Sequence, residues 1–478
     1  MKKIFFALLG CFIAICAHAA QIVNVDYVHK LIAQKWDISV PIKADNPMQV
    51  ANMKYLLTAI DVANEILNGE PTTNYGNGEF ATLQVADTTA TNQAVDTLIE
   101  KEEKYKFSLT INQTHYQSVK KTTDFKFSIG AAGTFYVDWG DGTEETIVKN
   151  NTNLVTYSHD YKTTDAVYTI RLGGKATEYS ENITSIGFSD LFYNDADDED
   201  DCSYAHAIES IDGSLGKIFR TLSNNTVKQP RFGNTFWGGV PESYGYGCYA
   251  KITSIPAGLF AGISGAPASY MFLGTFSDCR NLTTIPARLF AGISGAPAED
   301  MFYNTFYGCS GLTSIPDGLF AGISGAPAYG MFDSTFEECS GLTGAIPDGL
   351  FGNLSGAPAA AMFHETFSGC SKLTSIPENL FAGISGAPAS YMFYYTFSNC
   401  SGLISIPENL FGNISGTAQS YMFYGTFDGC TSLTGPSARI NGQYLYEIWP
   451  DATSSQVGYM YYNATGLSDY ATMPTVWK

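Results

Sequence analysis

Basic residues are scarce. The 478-residue chain has 26 Lys and Arg against 46 Asp and Glu, a formal charge of −20. No cluster of Lys and Arg occurs. Nucleic acid and anionic membrane are therefore excluded as main partners, because both are held by grouped cations. Charged residues make up only 15% and hydrophobic residues 45%, the balance of a folded chain. Catalytic signatures are missing too: there is no Gly-x-Ser-x-Gly, no His-Glu-x-x-His and no P-loop. No Cys-x-x-Cys pair offers a metal site. No enzyme activity, cofactor or metal is expected. After the first 20 residues no apolar run is long enough to span a bilayer. No Leu-Pro-x-Thr-Gly-type sorting signal closes the chain.

The start of the chain is built as an export signal. Lys2-Lys3 precede an apolar core from Ile4 to Ile15, and Ala17-His18-Ala19 fits a signal-peptidase site. A lipobox at Leu8-Leu9-Gly10-Cys11 fits less well, because its apolar core is too short. Residues 1–19 are the expected signal peptide, and the mature chain is expected outside the cell or at its surface. Residues 20–104 carry helical spacing, best from Asn46 to Leu67, where Pro47 opens the first turn and Gly69 follows the end.

From residue 105 the apolar period changes from 3.6 to 2. Tyr105 to Ile111, Phe125 to Ile129, Thr134 to Val137, Val155 to Tyr161 and Val167 to Leu172 all alternate. Short strands at this spacing predict an antiparallel sandwich over 105–176. Between two of them lies Asp138-Trp139-Gly140-Asp141-Gly142-Thr143. The glycines permit a tight turn, the Asp side chains bond turn amides, and Trp139 fills the core. With Tyr157-Ser158-His159-Asp160-Tyr161 and Val167 to Leu172 behind it, this stretch resembles the PKD-like β-sandwich family. The resemblance implies an extracellular spacer or interaction module. It makes His159 and Asp138, a pair worth testing for catalysis, fixtures of the turn and strand instead.

The stretch 251–434 is one phrase written six times. Each copy reads Ile-Pro-x-x-Leu-Phe, then Gly-x-x-Ser-Gly or a close variant, then Met-Phe-x-x-Thr-Phe-x-x-Cys-x-x-Leu. Cys279, Cys309, Cys339, Cys370, Cys400 and Cys430 keep the count at 30 residues, or 31 where Gly344-Ala345 replaces one residue. Such a period predicts stacked coils that cover each other's apolar faces. Equivalent cysteines then lie side by side with poor disulfide geometry and act as small buried hydrophobes. If a disulfide forms, Cys202 with Cys248 is the expected pair. Residues 177–250 are a ragged cap of degenerate copies, and 435–478 close the other end. The acidic run Asp195–Asp201 lacks the glycine and spacing of a calcium loop and is expected to be a solvated turn.

The phrase Thr305-Phe306-Tyr307-Gly308-Cys309-Ser310-Gly311-Leu312-Thr313-Ser314-Ile315-Pro316 resembles the leucine-rich repeats of the BspA-like bacterial surface family. The copies here are longer than the family repeat by a Gly-x-x-Ser-Gly-Ala-Pro-Ala insert. The resemblance implies a mainly β chain: a leucine-rich-repeat-like solenoid after a PKD/Ig-like sandwich and a small helical region. It also implies adhesion to a protein or glycan on a host or neighbouring cell.

The positions flanking Met-Phe and following Thr-Phe vary between copies and are expected outside. They hold Tyr303, Tyr307, Tyr391, Tyr394, Tyr395, Tyr421 and Tyr424, the candidate contact surface, because Tyr gives rigid area with a polar tip. In the middle copies they are acidic: Glu299, Asp300, Asp333, Glu337 and Glu338. A self-associating structural protein is the alternative. A carboxylate-pair hydrolase is a third reading. The sequence leaves the oligomeric state open.

Overall fold

A computed structural model describes residues 104–113, 123–162, 166–188, 204–222, 228–238, 250–351 and 353–478. The expected signal peptide, the helical region, the Asp195–Asp201 run, Cys202 and Cys248 lie outside the described residues. What is described is mainly β, and its helices are single turns such as Leu445–Ile448 and Ser454–Val457. No helix among these residues is long and apolar enough to cross a membrane.

The alternating stretches form two antiparallel sheets. One has the order β4 (Glu144–Lys149), β3 (Ala131–Asp138), β6 (Val167–Tyr179), β1 (Tyr105–Asn112), β8 (Ile208–Gly213). The other has the order β5 (Val155–Asp160), β2 (Asp124–Ile129), β7 (Ile186–Gly187). In β1 buried and half-buried residues alternate without a break, as a period of 2 requires. Rings join the two sheets: Phe127 and Trp139 lie 5.5 Å apart, and Phe107 and Phe188 5.7 Å.

Two strands lie beyond the stretch read as the sandwich. β7 and β8 both come from residues read as repeat cap, and β8 pairs with β1 from Phe107↔Gly213 to Ile111↔Ile208. The sheets and the repeats also share one apolar core. Phe236, in a degenerate copy, packs on Phe188 at 5.4 Å and on Phe107 at 6.2 Å. It then stacks on Phe276 at 5.5 Å, so the sheets close the first coil.

Each 30-residue copy lies on the next. The Leu-Phe, Met-Phe and Thr-Phe phenylalanines form three columns, exemplified by Phe290–Phe320 at 6.0 Å, Phe302–Phe332 at 5.4 Å and Phe306–Phe336 at 5.6 Å. Their ring planes differ by 12° or less in these pairs. Leu312 and Ile315, three apart, both turn inward. Trp449 covers the Met-Phe column at Phe423 and Tyr461 the Thr-Phe column at Phe427, with 5.8 and 5.9 Å between rings.

The stretch before each Ile-Pro reads as a bent strand, but there it is reduced to one isolated parallel bridge, Ser254↔Thr284, and single hydrogen bonds such as Thr313 N to the Thr283 carbonyl. Only β9 (Gly344–Ala345) and β10 (Leu373–Ser375) pair further there, with a register shift. The extra residue of the fourth copy is absorbed as that bulge, on exposed backbone. The return stretch keeps a second line of contacts, including β11 (Ser385–Gly386) with β12 (Asn413–Ile414).

The six thiols are free and buried. They also donate. Cys309 Sγ bonds the Phe276 carbonyl in the preceding coil at 3.0 Å, and Cys339 does the same to Phe306. Buried Thr305 bonds the Phe272 carbonyl at 2.8 Å. Thr and Cys thus give a second donor to phenylalanine carbonyls that already accept a turn amide, filling both lone pairs of buried backbone.

Candidate functional site

Three residues in every coil hold left-handed backbone. The first precedes Met-Phe: Tyr270, Asp300, Gly330, Ala361, Tyr391 and Tyr421, with φ between 48° and 61°. The second precedes Thr-Phe: Gly274, Asn304, Ser334, Glu365, Tyr395 and Gly425. The third precedes the cysteine: Asp278, Gly308, Glu338, Gly369, Asn399 and Gly429.

The cause is hydrogen bonding. Thr305 N donates to Phe302 O and Cys309 N to Phe306 O, which makes Asn304 and Gly308 third residues of tight turns. Positive φ at that position suits the turn and aims its amide along the stack. Asn304 N accordingly reaches Asp333 O at 3.1 Å, and Gly308 N reaches Glu337 O at 2.8 Å. Gly and Asn are the ordinary residues for such a site, and a bulky side chain is an outlier. Tyr270, Tyr391, Tyr395 and Tyr421 are the bulkiest residues held this way, and Asp300, Ser334, Ala361 and Glu365 share the conformation.

Side chains at these sites lie flat along the stack. A Cβ on Gly425 would sit 2.2 Å from the Tyr395 ring, and one on Gly308 2.6 Å from Asp278 Oδ1. This explains why the third column alternates Asp278, Gly308, Glu338, Gly369, Asn399, Gly429. In that column each residue with a side chain lies over a glycine of the next coil, whereas the first two columns place side chains in successive coils.

The structure brings five of the seven candidate tyrosines together. Tyr391 stacks on Tyr421 at 4.8 Å, and Tyr394 on Tyr424 at 5.6 Å. Tyr395 meets Tyr394 edge-on at 4.6 Å. Only Tyr391 is exposed, at 38%, and the other four are half-buried against each other. Tyr303 and Tyr307 lie in an earlier coil, half-buried among the acidic residues.

Three members of the cluster escaped the sequence reading. Tyr459 and Tyr462 of the worn last copy extend it, with Tyr424–Tyr459 at 5.4 Å and Tyr459–Tyr462 at 5.6 Å. His364 stacks on Tyr394 at 4.7 Å. The register of the repeat carried the signal for all three, since they occupy positions flanking Met-Phe or its worn counterpart. Tyr461, in the second Met-Phe position, is buried instead.

His364 also joins the aromatic cluster to the acidic coils. Its Nδ1 lies 3.0 Å from Asp333 and 3.7 Å from Glu365. Burial lowers its proton affinity, but the bond from Asp333 and the surrounding carboxylates outweigh that and raise it. The carboxyls themselves move up. Burial, then repulsion from Glu365, takes Glu337 to about 7. Burial, then Glu299 and Asp333, takes Asp300 to about 6. Burial takes Asp278 to about 6 despite Arg280 at 3.6 Å. Among the described residues no group of three His, Cys, Asp or Glu is placed to hold a metal ion.

His159 and Asp138 are not partners. His159 Nε2 meets Asp141 at 2.8 Å and stacks on Trp139 at 4.9 Å, while Asp138 holds Arg171 at 3.0 Å and accepts from the Gly140 amide. Tyr161 Oη donates to the Trp139 carbonyl at 2.8 Å. Both candidates fasten the turn. No family model, curated protein or solved structure matches this chain.

Proposed function

We propose that the chain is an exported binding protein of the bacterial surface that adheres to a protein or glycan through the tyrosine face of its repeats. The repeats are read as a leucine-rich-repeat-like solenoid of the BspA-like kind, and the two sheets as a PKD-like module that begins the stack. No enzyme activity and no cofactor belong to this reading.

One observation carries it. Tyr391, Tyr394, Tyr395, Tyr421 and Tyr424 pack ring against ring across two adjacent coils, and Tyr391, Tyr395 and Tyr421 do so from left-handed backbone. Each of these three costs about 1 kcal/mol in backbone energy. Tyrosines packed edge and face form a pre-ordered contact surface, with little side-chain freedom left to lose on binding.

The test is a panel of matrix proteins, mucins and glycans presented to the full chain and to its Tyr391→Ser/Tyr394→Ser/Tyr421→Ser/Tyr424→Ser variant. Retention of at least one ligand by the natural chain, with loss of more than about tenfold in affinity in the variant, supports the reading. No retention, together with defined oligomers in light scattering, moves the protein to the self-associating alternative.

A further inference from the structure

A second site lies on another stretch of the same coils. The two residues after Ile-Pro are Ala-Gly, Ala-Arg, Asp-Gly and Asp-Gly in the first four copies. In the last two they are Glu378-Asn379 and Glu408-Asn409. These four residues, with Asn413 and Asn441, line a cavity of about 270 Å³. Asn409 is left-handed, with φ 60°, where the third and fourth copies have left-handed glycines Gly318 and Gly349.

One wall is fixed by the C-terminal cap. Asn409 Oδ1 accepts from the Asn441 amide at 2.6 Å, and Asn409 N donates to the Arg439 carbonyl at 2.9 Å. Arg439 also neutralises Glu408 at 3.2 Å. The hairpin of β13 (Arg439–Ile440) and β14 (Gln443–Tyr444) is thereby held on the sixth coil. Across the cavity, the side chains of Glu378, Asn379 and Asn413 have no hydrogen-bond or ion-pair partner among the described residues. They face solvent-filled space bounded by that fixed wall.

The chemistry of this set is specific. Each Asn amide offers donors and an acceptor, and the Glu378 carboxylate accepts only. Neighbouring hydroxyls that both donate and accept match such a set. No aromatic or aliphatic side chain larger than Ala382 lines the cavity, which removes apolar ligands. The unneutralised Glu378 charge opposes anions. The volume falls just below the range of drug-sized sites, about 300–1,000 Å³, and suits a single ring.

We propose that this cavity takes one neutral sugar unit, held by Glu378, Asn379 and Asn413. The proposal does not rest on the tyrosine face. All three residues are exposed, so their replacement leaves the core untouched.

Saturation-transfer NMR on the full chain tests it. The probes are the methyl glycosides of glucose, galactose, mannose and N-acetylglucosamine, with N-acetylneuraminic acid as the anionic control. The expected result is transfer to at least one neutral glycoside at millimolar concentration. It should weaken about fivefold in Asn379→Ala and in Asn413→Ala, the loss of one net hydrogen bond each. Tyr391→Ser/Tyr421→Ser should leave it unchanged, which separates this site from the tyrosine face. Thermal melts of each variant confirm the fold. Absence of transfer to every neutral glycoside overturns the proposal. So does transfer that survives both Asn substitutions, or transfer equally strong to the acidic sugar.

Discussion

Tyrosine on left-handed backbone sets two small energies against each other. The backbone cost is about 1 kcal/mol, and ring contacts return about 0.5–1.5 kcal/mol. Tyr395→Gly and Tyr421→Gly are therefore expected to change stability by less than about 1 kcal/mol in urea titrations, while ligand affinity falls more than tenfold. Equal loss of both would assign the rings a structural role. Gly425→Ala should act through its neighbour, since the new methyl takes the place of the Tyr395 ring.

The thiols give a separate test at this scale. Burial pushes all six far above the ordinary thiol range. Iodoacetamide followed by mass spectrometry should leave Cys279 through Cys430 unlabelled in the native chain and labelled in denaturant. Their burial was legible from the repeat register. Their bonds to phenylalanine carbonyls were not, because a period says which residues align and nothing about which carbonyls of the preceding coil come within reach of a thiol. The left-handed sites were half legible: the alternation of Gly308, Gly369 and Gly429 with side-chain-bearing residues is visible in the sequence once flat side chains are considered.

At the scale of the element, the phenylalanine columns dominate. Phe306 and Phe336 are wholly buried between neighbouring rings. Replacing either with Ala should cost about 3–5 kcal/mol, read from chemical denaturation, since the coils above and below fix the cavity.

The acidic coils set the pH dependence. Glu337 and Asp300 have folded values of about 7 and 6 against ordinary values of 4.5 and 3.8. Between those limits the folded state holds more protons than the unfolded one, so stability falls as pH rises. His364, also raised, contributes in the same direction, its stabilisation lost as pH passes its folded value. Asp141, lowered to about 2, acts only below pH 4. Melting temperature should be higher at pH 5 than at pH 8, and Glu337→Gln should flatten the difference. The sequence showed these carboxylates to be clustered. It could not show them stacked and half-buried, because the spacing between coils comes from tertiary contact.

Across the described molecule, the sheets and the repeats are one body with one core. Pattern alone placed a boundary at residue 176, because strand period ends there and repeat echoes begin. β8 crosses that line, since Ile208–Gly213 echoes a repeat and still pairs with β1. Phe107 and Phe188 then cover Phe236, which a free end would expose to water. A chain of residues 177–478 lacks Phe107 and strands β1 to β5 and is expected to aggregate, whereas residues 104–478 should melt in a single transition.

The central claim, that the six copies are layers of one stack, is tested most directly by amide hydrogen exchange. The amides that cross between coils, such as those of Phe272, Phe302, Phe332, Phe363 and Phe393, should exchange slowly and to similar extents in all copies, as in strands β1 and β6. Fast exchange at these amides, or protection that differs freely from copy to copy, would show independent beads and contradict the account.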